Sequence, residues 1–351
     1  MVIAALHNID VPLSKILMIQ LGDIGDVVWS IPSFQAMKTA HPQAKLFVLT
    51  RKPNGDLLSD DRRIDRVMQV SPQSLPEEIS FVLGLRKEKF RLVIDLRADD
   101  RGAFLSFLSG APLRAALYYP GYTWRNRMFT HLVKPKPADE RIYGAAEQSL
   151  KIIRGLGMKE ETIIPRIFIA GEAKNKVKAM LPAENIDPAK GWVSINPFSR
   201  WSYKEWDVAK WRQLLAGIWE RYSLPAVIVG SPKERQRAAA LTAGVGFPIY
   251  NLAGKTSLPE MAALLQMSRL HIGVDSAAPH IAAAVGTPTL TIYGPTDWRD
   301  WAPLGETHRV VLPEMDCSPC YAKGCLGKGR SICLEAISTA KVQAAAEAML
   351  G

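Results

Sequence analysis

Short apolar runs separated by helix-length segments occur in both halves of the chain, and the first run of each half leads into a polar turn. In the first half, the run at 15–20 ends near Gly22, and helical spacing follows over 27–38. In the second half, the run at 192–196 precedes a serine-containing turn and a helical segment over 206–222. Strands that alternate with helices form parallel sheets. The pattern predicts an α/β fold of two similar doubly wound domains facing each other across a cleft.

Further segments extend the alternation in each half. Strands are predicted at 45–50, 91–96, 226–230, 270–274 and 289–293, and helices at 143–156, 258–267 and 279–285. The 351 residues are enough for two domains, at roughly 100–200 residues each. Glycines and prolines interrupt a stretch with little strand character between 157 and 182. We therefore expect an N-terminal domain over 1–172 and a C-terminal domain over 173–351.

The amino-acid composition fits a folded soluble protein. Apolar residues make up 48% and charged residues 22% of the chain, which excludes a disordered or fibrous protein. No window supplies the roughly 18 uninterrupted apolar residues of a membrane span. The start of the chain lacks the basic region, apolar core and cleavage site of a signal peptide. We expect a cytoplasmic location.

The formal net charge of +10 favours acidic partners such as phosphorylated glycans, anionic membranes or nucleic acid. A nucleic-acid function finds no supporting motif. One stretch, 101–136, interleaves aromatic and basic residues without any acidic one. Either it holds a bulky anion, or its charges only face water. Its basic residues are Arg101, Arg114, Arg125, Arg127, Lys134 and Lys136.

The turn after the first predicted strand contains two glycines and two carboxylates. Gly22 and Gly25 are three positions apart, unlike the G-x-G-x-x-G pattern of dinucleotide-binding proteins. A carboxylate at Asp26 would repel a pyrophosphate, but it suits a base that takes a proton from a hydroxyl. The alternative is that Asp23 or Asp26 only caps the following helix.

Two strand ends in the second half carry polar groups suited to a phosphorylated ligand. The segment NPFSRWSYKEW at 196–206 offers hydroxyls and cations before a helix, and Lys204 is the expected charge contact. Glu234 follows the strand at 226–230 and is either a partner for ribose hydroxyls or a solvated surface residue.

A third strand end, HIGVDSAAPH at 271–280, places Asp275 and Ser276 ahead of an alanine-rich helix. Small side chains there let a ligand approach the backbone. The nearby AGKT at 253–256 imitates the tail of a P-loop, but position 249 is Ile249 where that loop needs glycine. We therefore reject a P-loop. The chain also contains no H-E-x-x-H and no G-x-S-x-G motif.

All four cysteines fall near the C-terminal end, with the spacing C-x2-C-x4-C-x7-C. Such clustering is typical of thiolate metal sites. The alternative is four reduced thiols that pack a loop, and a disulfide is the weaker option in a cytosolic protein. The candidate ligands are Cys317, Cys320, Cys325 and Cys333.

Four segments together resemble glycosyltransferase family 9, the ADP-heptose:lipopolysaccharide heptosyltransferases. They are LGDIGDV at 21–27, SRWSYKEW at 199–206, NLAGKTSLPEMAALL at 251–265 and GVDSAAPHIAAAVGTPTLTIYGPTD at 273–297. The resemblance implies a GT-B fold, in which the first Rossmann-like domain holds the acceptor and the second holds the nucleotide sugar. It implies inverting transfer of heptose from ADP-heptose to the inner core of lipopolysaccharide, without a catalytic metal. The RWSYKEW segment is most similar to type III enzymes, whereas a cysteine-rich tail is commoner in type II-like members, so we favour type III.

The resemblance also implies roles for single residues. Asp26 matches the family's general base, and Lys204 matches the lysine that binds the sugar donor's pyrophosphate and stabilises the departing ADP. Ser199 matches a hydroxyl residue that lies near the phosphates in the family. The segment is one residue longer here than in type I enzymes, so the alignment of Ser199 with that residue is less exact. SAAPH stands where SAPAH or TGLSH is usual, which could alter the contacts to the sugar. The remaining matches are Glu234 for ribose, Asp275 for the sugar, and Ser276, Ala277 and His280 for the phosphate turn.

Expected partners follow from the same resemblance. They are ADP-heptose, the lipopolysaccharide inner core next to Arg101, Arg125 and Arg127, and the anionic inner face of the cytoplasmic membrane, with peripheral contact and no nucleic acid. Catalysis would need no cofactor, and a metal at the cysteines would be structural. Two alternatives stay open: a relative that uses another nucleotide sugar, or a non-catalytic protein that binds nucleotide sugar or lipopolysaccharide. The presence of both Asp26 and Lys204 argues against the second, since binding alone needs no base.

Overall fold

The computed structural model describes residues 1–7, 9, 11–71, 74–97, 99–134, 144–327 and 329–351. The chain divides into two compact units, Met1–Phe168 (unit 1) and Ile169–Gly351 (unit 2). The boundary expected after residue 172 falls inside the first helix of unit 2, Gly171–Ala183. Each unit contains a parallel sheet and helices, and the predicted α/β class is confirmed.

Unit 1 is built on parallel strands joined by helical crossovers. Its strands are β1 (Val2–Ala4), β2 (Lys15–Gln20), β3 (Lys45–Arg51), β4 (Arg66–Val70), β5 (Leu92–Asp95), β6 (Leu113–Leu117) and β7 (His131–Val133). Its helices are α1 (Ile24–Trp29), α2 (Ile31–Ala40), α3 (Leu75–Lys87), α4 (Asp100–Leu108), α5 (Thr123–Asn126) and α6 (Glu147–Gly155). The strand order is β1-β7-β6-β5-β2-β3-β4. The order therefore reverses direction between β2 and β5.

Unit 2 repeats this plan. Its strands are β8 (Val193–Asn196), β9 (Ala226–Ile228), β10 (Ile249–Asn251), β11 (Leu270–Val274), β12 (Thr289–Ile292) and β13 (His308–Val311). Its helices are α7 (Gly171–Ala183), α8 (Val208–Tyr222), α9 (Arg235–Thr242), α10 (Leu258–Gln266), α11 (Ala277–Ala284), α12 (Trp298–Trp301), α13 (Ile332–Ala336) and α14 (Thr339–Leu350). The order β10-β9-β8-β11-β12-β13 reverses between β8 and β11.

The cores explain why the central strands are continuously apolar. In β2, every residue from Ile16 to Gln20 is buried, as expected for a parallel strand covered on both faces. On one face of that sheet, strand residues such as Leu17 and Phe47 pack against Leu85 of α3 and Leu105 of α4. In unit 2, the strands pack against α8 and the C-terminal helix α14. The central strands are thus fixed by apolar burial on both faces.

The helix predicted over 27–38 is instead two helices, α1 and α2, which meet at Ser30. The backbone N–H and the hydroxyl of Ser30 both donate to the carbonyl of Asp26, which lets the first helix end there. Pro32 has no N–H to continue the helical ladder. The spacing of the apolar residues continues across the break, which is why the sequence predicts one helix. That prediction is wrong, because the segment forms two helices.

The other predicted elements are confirmed within a few residues, with α6 in place of the helix at 143–156, whose first residue, Tyr143, lies outside the described residues. Several strands were not predicted. Strands β1, β7 and β10 have three residues each, too few for a periodicity signal. Strand β4 carries Arg66 and Gln69 on a partly exposed edge, so its composition resembles a loop.

Among the described residues, no helix combines the length and the hydropathy that crossing a membrane requires.

Candidate active site

Polar side chains gather in unit 1 at the carboxyl ends of β2 and β5, where the strand order reverses. Open α/β sheets bind ligands at such a reversal point. Gly22 follows β2 and Asp26 lies in the first turn of α1, whereas Asp95 ends β5 and Arg97 follows it. We call this group, Gly22, Asp26, Asp95 and Arg97, the unit 1 site.

Asp26 is held by two hydrogen bonds at its Oδ2 atom. Nη1 of Arg97 donates to it at 2.6 Å, and the backbone N–H of Asp23 donates at 2.8 Å. Asp23 is also the N-cap of α1, and Asp26 is the third residue of that helix. Both aspartates therefore lie at the start of the helix, where they form a capping box in addition to the contact with Arg97. The Asp26 side chain keeps 24% of its surface exposed, so an incoming hydroxyl can reach it.

Gly22 is required by this ion pair. A Cβ at Gly22 would lie 2.4 Å from Oδ2 of Asp26 and 2.6 Å from Nη1 of Arg97, closer than non-bonded atoms approach. Gly25 lies in the first turn of α1. The first glycine therefore makes room for the carboxylate and its arginine partner.

Asp95 is a buried carboxylate next to the ion pair. Its Oδ1 accepts the backbone N–H of Arg97 at 3.0 Å, and a Cβ at Gly102 would lie 2.4 Å from its Oδ2. Tyr119 is close by. Burial raises the pKa of the Tyr119 phenol, Asp95 adds to the increase, and Arg125 and Arg97 oppose it. The unit 1 site together with its neighbours Tyr119 and Arg125 thus combines two carboxylates, two guanidinium groups and a phenol.

The predicted acceptor-side arginines have different environments. Arg101 pairs with Glu78, and Nε of Arg125 lies 3.1 Å from Oδ1 of Asp100. Arg127 is exposed. Arg114 donates to the backbone carbonyls of residues 111 and 128, which is a structural use of its charge. Lys136 lies outside the described residues.

In unit 2, Lys204 and Asp275 form an ion pair at the reversal point between β8 and β11. Nζ of Lys204 donates to Oδ2 of Asp275 at 2.6 Å, and their side chains are 19% and 10% exposed. Lys204 ends a short 3-10 helix, Ser202–Lys204, whereas Asp275 follows β11. The fold therefore unites two predicted site residues that are 71 positions apart.

Two serines connect the same strand ends. The hydroxyl of Ser199 donates to the carbonyl of Asp275 at 3.1 Å. The hydroxyl of Ser276 donates to Oδ1 of Asn196 at 2.9 Å, and the Asn196 amide donates to the carbonyl of Val229. We call Asn196, Ser199, Lys204, Asp275, Ser276 and His280 the unit 2 site. Ala277 opens α11 directly after Ser276, so the start of that helix belongs to this site.

Two buried titratable groups lie behind Asp275. Burial lowers the pKa of His280 to about 4, with Asp275 opposing the shift and Lys204 adding to it. Burial raises the pKa of the Tyr293 phenol, and Asp275 raises it further. Both side chains are therefore neutral near pH 7.

Glu234 lies where predicted, after β9, but its carboxylate caps a short helix. Its Oε2 accepts the backbone N–H of Ser231 at 2.6 Å, in a capping box at Pro232–Glu234. A Cβ at Gly230 would lie 2.6 Å from the same oxygen, so glycine is needed in the turn after β9. The segment AGKT at 253–256, which resembles the tail of a P-loop, forms a turn in which Nζ of Lys255 donates to Oε1 of Glu184 at 2.6 Å.

The four cysteines are reduced and differ in exposure: Cys317 and Cys320 are exposed, Cys325 is intermediate and Cys333 is buried. The backbone N–H of Ile332 donates to Sγ of Cys325 at 3.4 Å. Burial raises the pKa of the Cys333 thiol, and the other three cysteines add to the increase. Across the described ranges, no group of three histidine, cysteine or acidic side chains is arranged to hold a metal ion. The metal site stays a prediction.

Three residues were not predicted from sequence. Arg97 follows β5 in the segment RLVIDLRADD, where a strand ending in charged residues was the available signal. Asn196 ends β8. Glu205 accepts the backbone N–H of Ser199 at 2.9 Å and pairs with Arg237. The role of Glu205 depends on a contact with a distant helix, so no local pattern could reveal it.

Comparison with known proteins places the chain in a family. The model of glycosyltransferase family 9 (heptosyltransferase) matches residues 79–330. Lipopolysaccharide heptosyltransferase 3 of Escherichia coli is 26% identical over 293 residues, which cover 79% of this chain and 84% of that protein.

Solved structures show the same fold. A family 9 glycosyl transferase from Veillonella parvula has a TM-score of 0.81 and 19% identity, over 96% of this chain and 97% of that one. The E. coli ADP-heptose lps heptosyltransferase II has a TM-score of 0.77 and 19% identity, over 96% and 98%. The GT-B fold and the enzyme class expected from the resemblance are confirmed. The family model spans most of the sequence, and the chain therefore belongs to glycosyltransferase family 9, the heptosyltransferases.

Proposed function

We propose that the chain transfers heptose from ADP-heptose to the inner core of lipopolysaccharide, with inversion at the anomeric carbon. The observation that carries the proposal is the Lys204–Asp275 pair at the reversal point of unit 2, a position suited to a sugar diphosphate. Similarity to E. coli lipopolysaccharide heptosyltransferase 3 supports the acceptor class and a type III assignment.

In this proposal Asp26 is the general base. Its carboxylate takes the proton from an acceptor hydroxyl while the hydroxyl oxygen bonds to the anomeric carbon. The bond from that carbon to the diphosphate oxygen breaks on the opposite side, so one displacement inverts the configuration. Arg97 favours the ionised carboxylate because its guanidinium lies 2.6 Å from Oδ2.

Lys204 stabilises the leaving ADP. Negative charge grows on the diphosphate as the glycosidic bond breaks, and a nearby ammonium lowers the energy of that state. Lys204 is mostly buried, so its charge is weakly screened by water. Because Asp275 holds Nζ in place before the sugar donor arrives, little reorganisation is needed. These two residues make a metal ion unnecessary for the transfer in this proposal.

The remaining contacts to the sugar donor follow the chemistry of each group. Asp275 accepts hydrogen bonds from sugar hydroxyls, and the hydroxyls of Ser199 and Ser276 and the start of α11 at Ala277 face the phosphates. Glu234 offers its free Oε1 to the ribose. The neutral His280 packs behind this turn and keeps positive charge confined to Lys204.

A panel of nucleotide sugars tests the substrate. ADP-heptose, ADP-glucose, UDP-glucose and GDP-mannose are compared by thermal shift, because a ligand of the native state raises the unfolding midpoint. Selective stabilisation by the ADP-sugars is expected. Preference for a UDP- or GDP-sugar would favour a family relative with another sugar donor. Binding of ADP-heptose without turnover on truncated inner cores would favour a non-catalytic protein.

We also propose that the four cysteines bind a structural zinc or iron ion. Four thiols within 317–333 are a soft ligand set, and a backbone N–H bond to Cys325 Sγ is a contact that stabilises metal-bound thiolates. The proposal requires the segment to rearrange on binding, because the thiols are not arranged as a ligand set without the ion. Elemental analysis of protein purified without chelators should find about one ion per chain. Protein that contains four reactive thiols and no metal, and whose unfolding midpoint does not change when zinc or iron is added, would contradict this proposal.

A further inference from the structure

Helix α3 carries large apolar side chains on two opposite faces. On the inner face, Leu85 is fully buried and Phe81 packs against the core of unit 1. On the outer face, Leu75, Ile79 and Leu83 are 75%, 53% and 54% exposed. Their spacing of four residues places them in one row along the helix. A surface helix of a monomer normally shows polar groups there.

Helix α4 has the same property. Leu105 is buried in the core, whereas Phe104, Phe107 and Leu108 are 48%, 49% and 36% exposed. The ring of Phe104 lies 5.3 Å from that of Trp124, which is itself 39% exposed. Three large apolar side chains thus lie on one side of the helix and continue onto the turn that contains α5.

The two helices lie side by side. Near their N-terminal ends, Arg101 of α4 pairs with Glu78 of α3. In the last turn of α3, Nε of Arg86 lies 3.7 Å from where a Cβ of Gly110, two residues after α4, would be. The exposed rows of these two neighbouring helices, together with Trp124, make up a surface that we call the apolar face. It consists of Leu75, Ile79, Leu83, Phe104, Phe107, Leu108 and Trp124.

The apolar face continues into the unit 1 site. The guanidinium of Arg125 lies 6.0 Å from the ring of Trp124 and 3.9 Å from that of Tyr122. Arg125 also interacts with Tyr119, as do Asp95 and Arg97 of the site. A molecule that covers the apolar face therefore also lies beside the groups around Asp26.

Cations border the apolar face. Arg86 and Lys87 are exposed at the end of α3, and the guanidinium of Arg114 lies 5.6 Å from the ring of Phe107. The carboxylates of Glu78 and Asp100 are paired with arginines. Aromatic and aliphatic side chains bordered by cations suit the interface between acyl chains and anionic headgroups. The net charge of the chain, +10, has the same sign.

We propose that the apolar face docks on the surface of a bilayer with anionic headgroups. Docking in this position presents the unit 1 site to an acceptor anchored in the same membrane. The link to the acceptor rests on the proposed function, whereas the docking does not, so the two can fail separately. Large exposed apolar side chains gathered on one part of a surface commonly mark an interaction site.

Vesicle sedimentation tests the docking. The full chain is mixed with vesicles of phosphatidylcholine alone or of phosphatidylcholine with phosphatidylglycerol, and the bound fraction is measured. The triple variant Ile79→Ser/Leu83→Ser/Phe104→Ser is compared with the control Ile164→Ser/Val208→Ser, whose side chains are 48% and 47% exposed elsewhere. We expect about tenfold weaker partitioning or more for the triple variant, and wild-type partitioning for the control.

Thermal unfolding and ADP-heptose binding are measured on the same proteins, and neither should change, because the replaced side chains are exposed and belong to unit 1. Equal partitioning of all three proteins, or none by the wild type, would overturn the proposal. Equal partitioning into both kinds of vesicle would overturn the choice of anionic headgroups. Wild-type dimerisation that the triple variant abolishes, without vesicle binding, would identify the face as a contact between two copies of the chain.

Discussion

Nη1 of Arg97 and Oδ2 of Asp26 lie 2.6 Å apart, and this contact joins the turn after β2 to the turn after β5. The two side chains are 42% and 24% exposed. The contact fixes a carboxylate at the carboxyl edge of the sheet and occupies the space that a side chain at position 22 would fill. The chemistry proposed for unit 1 depends on this carboxylate.

Replacing Asp26 with asparagine should lower kcat about 100- to 10,000-fold, because the amide cannot take the proton from the acceptor. The amide oxygen can still accept the Asp23 N–H, so the fold and the thermal shift with ADP-heptose should be kept. Asp23→Asn is the matched control, since asparagine also caps helices well. Wild-type turnover of the Asp26 variant would exclude a base at this position.

Replacing Arg97 with glutamine should lower kcat about 10- to 100-fold, because the carboxylate loses the group that orients it. The Arg97→Lys variant should retain more activity, since it keeps the charge but not the planar guanidinium. Arg91→Gln serves as control because Arg91 is exposed at the opposite end of β5. If both arginine-to-glutamine variants lose activity equally, the effect belongs to net charge and not to orientation.

The Lys204→Gln variant should lose about 100- to 1000-fold in kcat/KM, because the growing charge on ADP loses its ammonium partner. The thermal shift with ADP should decrease as well. Lys190→Gln, which alters an exposed lysine of the same unit, should behave as wild type in both assays. Unchanged kinetics of the Lys204 variant would place the diphosphate elsewhere.

Two buried histidines should make unit 2 unstable in acid. Burial lowers the pKa of His271 to about 3 and that of His280 to about 4, below the ordinary value near 6.5 of the unfolded chain. As the pH falls from 6.5 towards 4, the unfolded state binds protons that the folded state does not. The free energy of unfolding should therefore fall, by up to about 1.4 kcal/mol per pH unit for each histidine.

Thermal unfolding of wild type and His271→Gln between pH 8 and pH 4.5 measures this effect. The variant should lose the part of the decrease in the midpoint that His271 contributes between those pH values. His41→Gln, in unit 1 and only partly buried, should alter it less. An unfolding midpoint that rises as the pH falls would contradict the predicted loss of stability in acid.

Gly254→Ala should destabilise the protein by about 1–3 kcal/mol. Gly254 has a φ of +72°, and a Cβ there would lie 2.6 Å from Cα of Pro232, so neither the conformation nor the space suits alanine. Gly246→Ala is the control because a Cβ at Gly246 would have no neighbour within 4 Å. Denaturant titration gives both values, and equal midpoints would show that the turn relaxes freely.

The fold class could be predicted because buried parallel strands leave long apolar runs, as in KILMIQ of β2. The break at Ser30 could not, since it depends on one side chain that bonds back to the helix. In the same way, the turn motifs indicated Asp26 and Lys204, but their partners Arg97 and Asp275 came from other strands. The segment HIGVDSAAPH predicted Asp275 as a site residue. Arg97 was missed because a single arginine after a strand is not a specific signal of a functional site.

The loop that carries Lys204 is joined to the cysteine segment by two hydrogen bonds. The hydroxyl of Ser331 donates to the carbonyl of Tyr203 at 2.6 Å, and that of Ser202 donates to the carbonyl of Gly329 at 3.2 Å. Oxidation or alkylation of the thiols is therefore expected to disturb the loop that carries Lys204. If Lys204 binds the nucleotide as proposed, the affinity for nucleotide should report the chemical state of the cysteines, although no cysteine belongs to the unit 2 site.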